Sequence, residues 1–171
     1  MIAVNDPSTV NVICVEPTEG SSFGAFTGVA HLVGAVDRFD EHGGFRLLGA
    51  LRSEVNRRAR LLADDPDPSA PAPPRLVIVV DDAHDMMARH AGFLPQLIEL
   101  ADPSRHLGLH VFVATERLSR SLETALKSFA NIRIGLRMND PGEAIALTGG
   151  REPVQISSHT PGRGVLKVGR R

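Results

Sequence analysis

The sequence predicts an α/β fold built on a mainly parallel sheet. Three observations predict it. Short apolar, β-branched runs recur along the chain. Other segments place apolar residues every third or fourth position. The two kinds of segment alternate over most of the length. Alternating strands and helices form βαβ units with a parallel sheet. In such sheets the chemistry sits at the carboxyl ends of the strands.

Val10–Val15 (VNVICV) reads as a buried strand. Glu16-Pro17-Thr18-Glu19-Gly20 breaks it as a loop. His31 to Val36 is a second short strand. A helix comes next, with Leu48, Leu51, Val55, Ala59 and Leu62 on one face. Arg52, Glu54, Arg57, Arg58 and Arg60 fill its other faces, which predicts an arginine-rich solvent side. Residues 64–74 (DDPDPSAPAPP) have no apolar periodicity and read as a Pro-rich surface loop. Leu76–Val80 is continuous, apolar and β-branched, as expected for a strand covered on both faces. It ends in Asp81-Asp82. The next helix carries Phe93, Leu94, Leu97, Ile98 and Ala101 on one face, with Pro95 near its start. Leu109–Ala114 (LHVFVA) is another buried strand, and Leu122 to Phe129 a further short helix. Ile132, Ile134, Leu136 and Met138 alternate with Arg133, Gly135 and Arg137, which predicts a half-exposed strand. Val154 to Val168 holds two short β-like runs around Pro161-Gly162.

Composition excludes several classes of function. The chain has 171 residues, enough for one domain with a real core. No apolar run approaches the roughly 20 residues that span a bilayer, and the first residues do not form a secretory signal. A net charge of −1 argues against a generally basic nucleic-acid binder. Only two of the 19 basic residues are lysines, Lys127 and Lys167. With no Trp or Tyr, base-stacking platforms are not expected. Cys14 is alone, reads as a small core residue and suits a reducing cytoplasm. No His pair shows the spacing of a metal site, and Ser104, Ser119 and Ser121 lack the elbow of a nucleophile.

The sharpest local signal is the strand that ends in two carboxylates, Asp81 and Asp82. An acid leaving a buried strand points into the crevice of the sheet. It can hold a water of a hydrated Mg2+, and a second acid can orient an attacking water. The same two carboxylates can instead cap the following helix, whose first amides are unpaired. The strand Leu109–Ala114 delivers Thr115, Glu116 and Arg117 to the same end if the two strands are neighbours. A plain exit of solvated residues into a loop is the alternative there.

The order of segments is more specific than any one of them. RLVIVVDD, a helix, GLHVFVATER, LKSFANIRIGLRM and PGRGVLKVG together resemble the motor ATPase domains of the FtsK/SpoIIIE type. That family has a Walker B strand ending in Asp-Glu, a strand of the form GxHhhhATQRP and a strand ANhxxRIxhRh. NVICVEPTEGSSFGAFTGVAHLVGAV resembles the family's second strand and the segment after it, and ALRSEVNRRARLL its arginine-rich helix. The likeness covers residues 10–169. It implies a RecA-like P-loop NTPase, a three-layer sandwich with a mainly parallel sheet. It also implies one partial domain over residues 1–171.

The resemblance implies roles. Asp81 takes the Mg2+-side acid. Asp82 takes the acid that polarises water. Thr115, Glu116 and Arg117 take the positions near the γ-phosphate. Asn131, Arg133 and Arg137 fall on the strand thought to face a neighbouring part of the site or subunit. ATP and Mg2+ are the implied cofactors. The implied partners are other motor domains in a hexameric ring, a Walker A segment, and DNA or a secreted protein as substrate.

Departures from the pattern count as much. No Gly-x-x-x-x-Gly-Lys-Ser/Thr loop occurs among these residues, so the amides and lysine that cradle phosphates are missing. Asp82 stands where Glu is usual, Glu116 where a neutral Gln is usual, and Leu118 where Pro is usual. Glu16-Pro17-Thr18-Glu19 occupies a loop where a basic residue is usual. The expected result is a degenerate or truncated ATPase domain, weak or inactive alone. In the family's sheet the missing first strand lies between the strand ending at Ala114 and the one containing Ile134. Their edges should therefore meet directly or stay open. A non-catalytic docking module, or the remnant of a larger motor, is the alternative.

Overall fold

The computed structural model describes residues 2–17, 23–36, 39–64 and 72–169. Residues 18–20 of the predicted first loop and 65–71 of the predicted Pro-rich loop lie outside the described residues. The chain forms two compact units, residues 1–115 and 116–171.

The first unit is a four-stranded parallel sheet in the order β2-β1-β3-β4. Its strands are β1 (Val10–Val15), β2 (Leu32–Val36), β3 (Arg75–Val80) and β4 (Leu109–Val113). All four predicted strands are present and parallel. Helix α1 (Glu41–Asp64) joins β2 to β3. Helices α2 (Ala83–Arg89) and α3 (Phe93–Ala101) join β3 to β4. β3 lies inside the sheet because its Leu76, Ile78 and Val80 side chains are all buried. The core adds Val15, Met86, Leu94, Leu97 and Leu109, each fully shielded from solvent.

Helix α1 corrects one expectation. It begins at Glu41, earlier than the apolar repeat indicated. Gly44 lies in its first turn, where a Cβ would collide with the Phe39 ring. That ring packs against Phe93 in a tilted contact, with a centroid distance of 4.4 Å and an interplanar angle of 59°. Leu48 and Leu51 face the core as predicted, but Leu61 and Leu62 are exposed. The inward position in the next turn belongs to Arg58, assigned to the solvent side by the pattern but only 2% exposed. Its guanidinium donates to Glu54 Oε1 at 2.7 Å, Leu107 O at 2.9 Å and Pro74 O at 2.7 Å. Burial is tolerated because every direction of the fork finds an acceptor.

The second unit has helices α4 (Arg120–Leu126) and α5 (Pro141–Thr148) and a two-stranded antiparallel sheet. Its strands are β5 (Ile132–Gly135) and β6 (Val165–Val168). The predicted strand Ile132–Met138 is thus shorter, and it pairs in the antiparallel sense. Of the two β-like runs toward the end, the first is a 3-10 turn, Glu152–Gln155, in which Pro153 has no N–H for a ladder. Helix α5 was not predicted. Its signal is present in Asp140-Pro141-Gly142-Glu143: the Asp140 carboxylate caps the amide of Glu143 at 2.8 Å, and Pro141 occupies the first turn. Among the described residues no helix is long and apolar enough to cross a membrane.

Candidate functional site

The candidate site lies at the carboxyl ends of β1, β3 and β4. The parallel register sets Val15 beside Val80, and Val80 beside Val113. The hydrogen-bonded ladder continues one step further. The amide of Asp81 donates to Val15 O at 3.0 Å, and that of Ala114 to Val80 O at 2.9 Å. The amide of Ala83 returns to Ala114 O at 2.9 Å. Glu16, Asp81 and Ala114 therefore leave three adjacent strands at one level, and Thr115 follows one residue further on. The strands that deliver Asp81 and Thr115 are neighbours, as a shared site requires.

Asp81 and Asp82 are both half-buried. The Asp81 carboxylate accepts the N–H of Asp82 at 2.9 Å. Asp82 has φ +43°, the one left-handed non-glycine residue among those described. Such a backbone costs energy for most L-residues and least for Asp and Asn. In that conformation its carboxylate accepts the N–H of Asp85 at 3.4 Å and caps α2. The helix-capping reading of Asp82 is therefore realised. Its lone pairs point at the first turn of α2.

Glu16 stands out in the sequence only as a departure from the family pattern. In the structure it is 6% exposed, and its Oε1 accepts the N–H of Phe23 at 3.1 Å. Its backbone lies beside that of Asp81 at the ends of β1 and β3. Burial, and then the charge of Glu16, push the Cys14 thiol above its ordinary value, so Cys14 is a poor nucleophile. Among the described residues no three His, Cys, Asp or Glu side chains form a group able to hold a metal ion. An acid at this site would reach a cation through water or through phosphate oxygens.

The remaining predicted residues belong to the second unit. Glu116 and Arg117 are exposed. Arg133 is half-buried and donates to Ala130 O at 3.2 Å and Lys127 O at 3.3 Å, at the end of α4. The carbonyl of Asn131 accepts from Gly169, and Arg137 is exposed. β5 pairs with β6 alone and β4 with β3 alone. The predicted open edges are therefore found among the described residues.

This parallel sheet, with an acid at the end of an inner strand, is the fold of the FtsK-type P-loop ATPases. Solved structures share it. The cytoplasmic domain of the Thermomonospora curvata type VII secretion ATPase EccC matches with a TM-score of 0.83 at 23% identity, over 99% of this chain and 22% of that one. The pCW3 conjugation coupling protein TcpA, solved with ATPγS, matches with a TM-score of 0.67 at 18% identity, over 95% and 50%. No family model matches the chain.

In sequence the chain is similar to the ATPases of type VII secretion. It is 26% identical to the ESX-4 secretion system protein EccC4 of Mycobacterium tuberculosis over 99% of its length. It is 24% identical to the type VII secretion system protein EssC of Staphylococcus aureus over 98%. It spans only 15% and 12% of the length of those two proteins.

Proposed function

We propose that the chain is the Walker B half of a degenerate ATPase module in a type VII-like secretion motor, working in the cytoplasm beside other motor domains. The observation that carries this reading is the position of Asp81. It sits one residue past an inner strand, flanked by the ends of β1 and β4. The sequence likeness to the type VII secretion proteins EccC4 and EssC favours protein over DNA as the transported substrate.

The residues fit the implied cofactors in part. Asp81 suits a water of hydrated Mg2+, and Thr115 leaves the neighbouring strand one residue beyond that level. Asp82 would have to release its cap on α2 to orient a water, and Glu116 and Arg117 come next on the chain after Thr115. Nothing among these residues cradles a triphosphate, since no glycine-rich loop with its lysine occurs. Mg2+ would supply charge neutralisation to a bound nucleotide. The residues present would orient water and hold the cation's shell. The phosphate loop must come from another segment of the motor. That segment also supplies a strand for the open edge of β4, where Phe112 is 56% exposed. Asn131, Arg133 and Arg137 then serve the contact with the neighbouring domain.

Calorimetry with Mg-ATP tests this. The chain alone should bind weakly or not at all at millimolar ATP. Supplied with a phosphate-loop segment, it should bind, and Asp81→Ala should weaken Mg-ATP at least 10-fold while leaving Mg-free nucleotide less affected. Binding that is indifferent to Asp81 in the completed domain would sink the assignment.

A second reading is a docking module without catalysis. One face of the β5–β6 sheet favours it. Ile132 and Val168 form one cross-strand pair, Ile134 and Leu166 another, and all four are 54–70% exposed. Four adjacent apolar side chains in water form a patch of the kind that marks contact with another protein. A neighbouring motor domain whose binding is lost in Ile134→Asp, with ATP irrelevant, would favour this reading over the first.

A further inference from the structure

The chain's only two lysines, Lys127 and Lys167, line the same cavity of the second unit. It lies between α4 and α5, on the side of the β5–β6 sheet that carries Arg133. Its volume is about 250 Å3. Leu126 and Ile145 supply apolar wall, and Arg133 a third cation. Glu123 is the one acid of the lining, so three positive groups stand against one negative.

Two features separate this from an ordinary solvated surface. First, Arg133 and Lys167 are direct cross-strand partners in the β5–β6 ladder. Like charges placed opposite each other destabilise a sheet, and both side chains are half-buried. Among the described residues, no ion pair relieves them. Second, Arg133 is held in place. Its two bonds to the end of α4 fix the guanidinium at the cavity wall. Packing of Lys167 Nζ beside Gly149 likewise sets the ammonium group near the end of α5. Arg133 and Lys167 are thus preorganised, and preorganised cations bind an anion at lower entropic cost, while Lys127 is exposed at the rim.

We propose that this cavity binds a carboxylate carried on one large aliphatic or aromatic group. The carboxylate would lie among Lys127, Arg133 and Lys167, and its apolar group on Leu126 and Ile145. The volume is below the roughly 300–1,000 Å3 of drug-sized ligand sites. It suits one large side chain with its charged group. The carboxylate can come from the free end of a chain or a small acid, or from an acidic side chain next to an apolar one. The site is separate from the Asp81 cluster and does not depend on nucleotide.

The test is an amide-resonance titration of the full chain with N-acetyl-leucine, N-acetyl-leucinamide, and a capped Leu-Asp-Leu peptide. N-acetyl-leucine should bind in the millimolar range, with saturable shifts at Leu126, Lys127 and Ile145 and none at Asp81. The amide should bind at least 5-fold more weakly. Lys127→Gln, at an exposed position that leaves the α4 contacts of Arg133 intact, should weaken the acid at least 3-fold and the amide not at all. Tighter binding of the capped peptide than of N-acetyl-leucine would assign the carboxylate to a side chain, and the reverse to a free terminus. Either supports the site. Equal binding of acid and amide, or no saturable shift at these residues with any probe, would overturn it.

Discussion

The two sheets treat the same kind of residue in opposite ways. In the parallel sheet, Leu76, Ile78 and Val80 of β3 are buried. In the antiparallel pair, Ile132, Ile134, Leu166 and Val168 face water, while Arg133 and Lys167 on the other side are half-buried beside α5. Strand residues alternate faces, so a period of two tells which residues share a face. It does not tell which face another element will cover. β3 is enclosed by elements within its own unit. The apolar face of β5–β6 has nothing over it among the described residues.

The largest test of this contrast is a pair of truncations. Leu97→Ala removes a side chain with no solvent exposure. It should cost about 2–5 kcal/mol in urea unfolding, from lost transfer energy and the cavity left behind. Ile134→Ala, at 54% exposure, should stay within about 0.5 kcal/mol. A large cost at Ile134 would mean that its face is covered after all.

Arg58 sharpens the contrast from the polar side. It is a buried cation, held by two carbonyls and a carboxylate. Arg58→Met keeps most of the volume but orphans Pro74 O and Leu107 O. Each lost partner of a buried acceptor costs about 1–3 kcal/mol, so about 2–4 kcal/mol should be lost in the same assay. Arg57→Met, one position away and exposed, should cost less, about 0.5–1 kcal/mol, through its two bonds to Glu54.

The partner of Arg58 gives a pH signature. Hydrogen bonds from Arg57, opposed by burial and helped by Arg58, bring the Glu54 carboxyl down to about 2. An unfolded glutamate titrates near 4.3. A depressed carboxyl stabilises the fold above its unfolded value, and that stability is lost as pH falls through the folded one. Stability should therefore drop between about pH 5 and pH 2. The part due to Glu54 should be on the order of 1–2 kcal/mol after allowance for solvent screening. It should vanish in Glu54→Gln, which checks the assignment by unfolding at pH 3 and pH 7.

Much of this was legible in the residues. The parallel strands followed from apolar runs between helical segments, but that β3 and β4 are neighbours, the condition for Asp81 and Thr115 to share one end of the sheet, is seen only in the strand order. The misses have physical causes. Arg58 is buried by acceptors from distant points of the chain, Pro74 and Leu107, which no helical repeat can reveal. Helix α5 has eight residues and little amphipathic contrast, so only its caps announce it. Glu16 stands out as a departure in the sequence, but its burial and its bond from the amide of Phe23 come from a loop fold that no local pattern encodes. The charged cavity brings together α4, β5, α5 and β6, and its lysines lie far apart along the chain.

The smallest effect concerns the residue where the capping and catalytic readings meet. Asp82 spends its carboxylate on the amide of Asp85 from a left-handed backbone. Glycine adopts that backbone freely and is a tolerable cap, so Asp82→Gly should cost only a few tenths of a kcal/mol. Alanine loses the cap and also resists the positive φ, so Asp82→Ala should cost about 1–2 kcal/mol. The gap between the two variants, read by thermal unfolding, measures the backbone strain at the end of β3. If Gly and Ala cost the same, φ at 82 is not held in the left-handed region in solution. The carboxylate is then not committed to α2, and orienting water at the strand end requires no rearrangement of the cap.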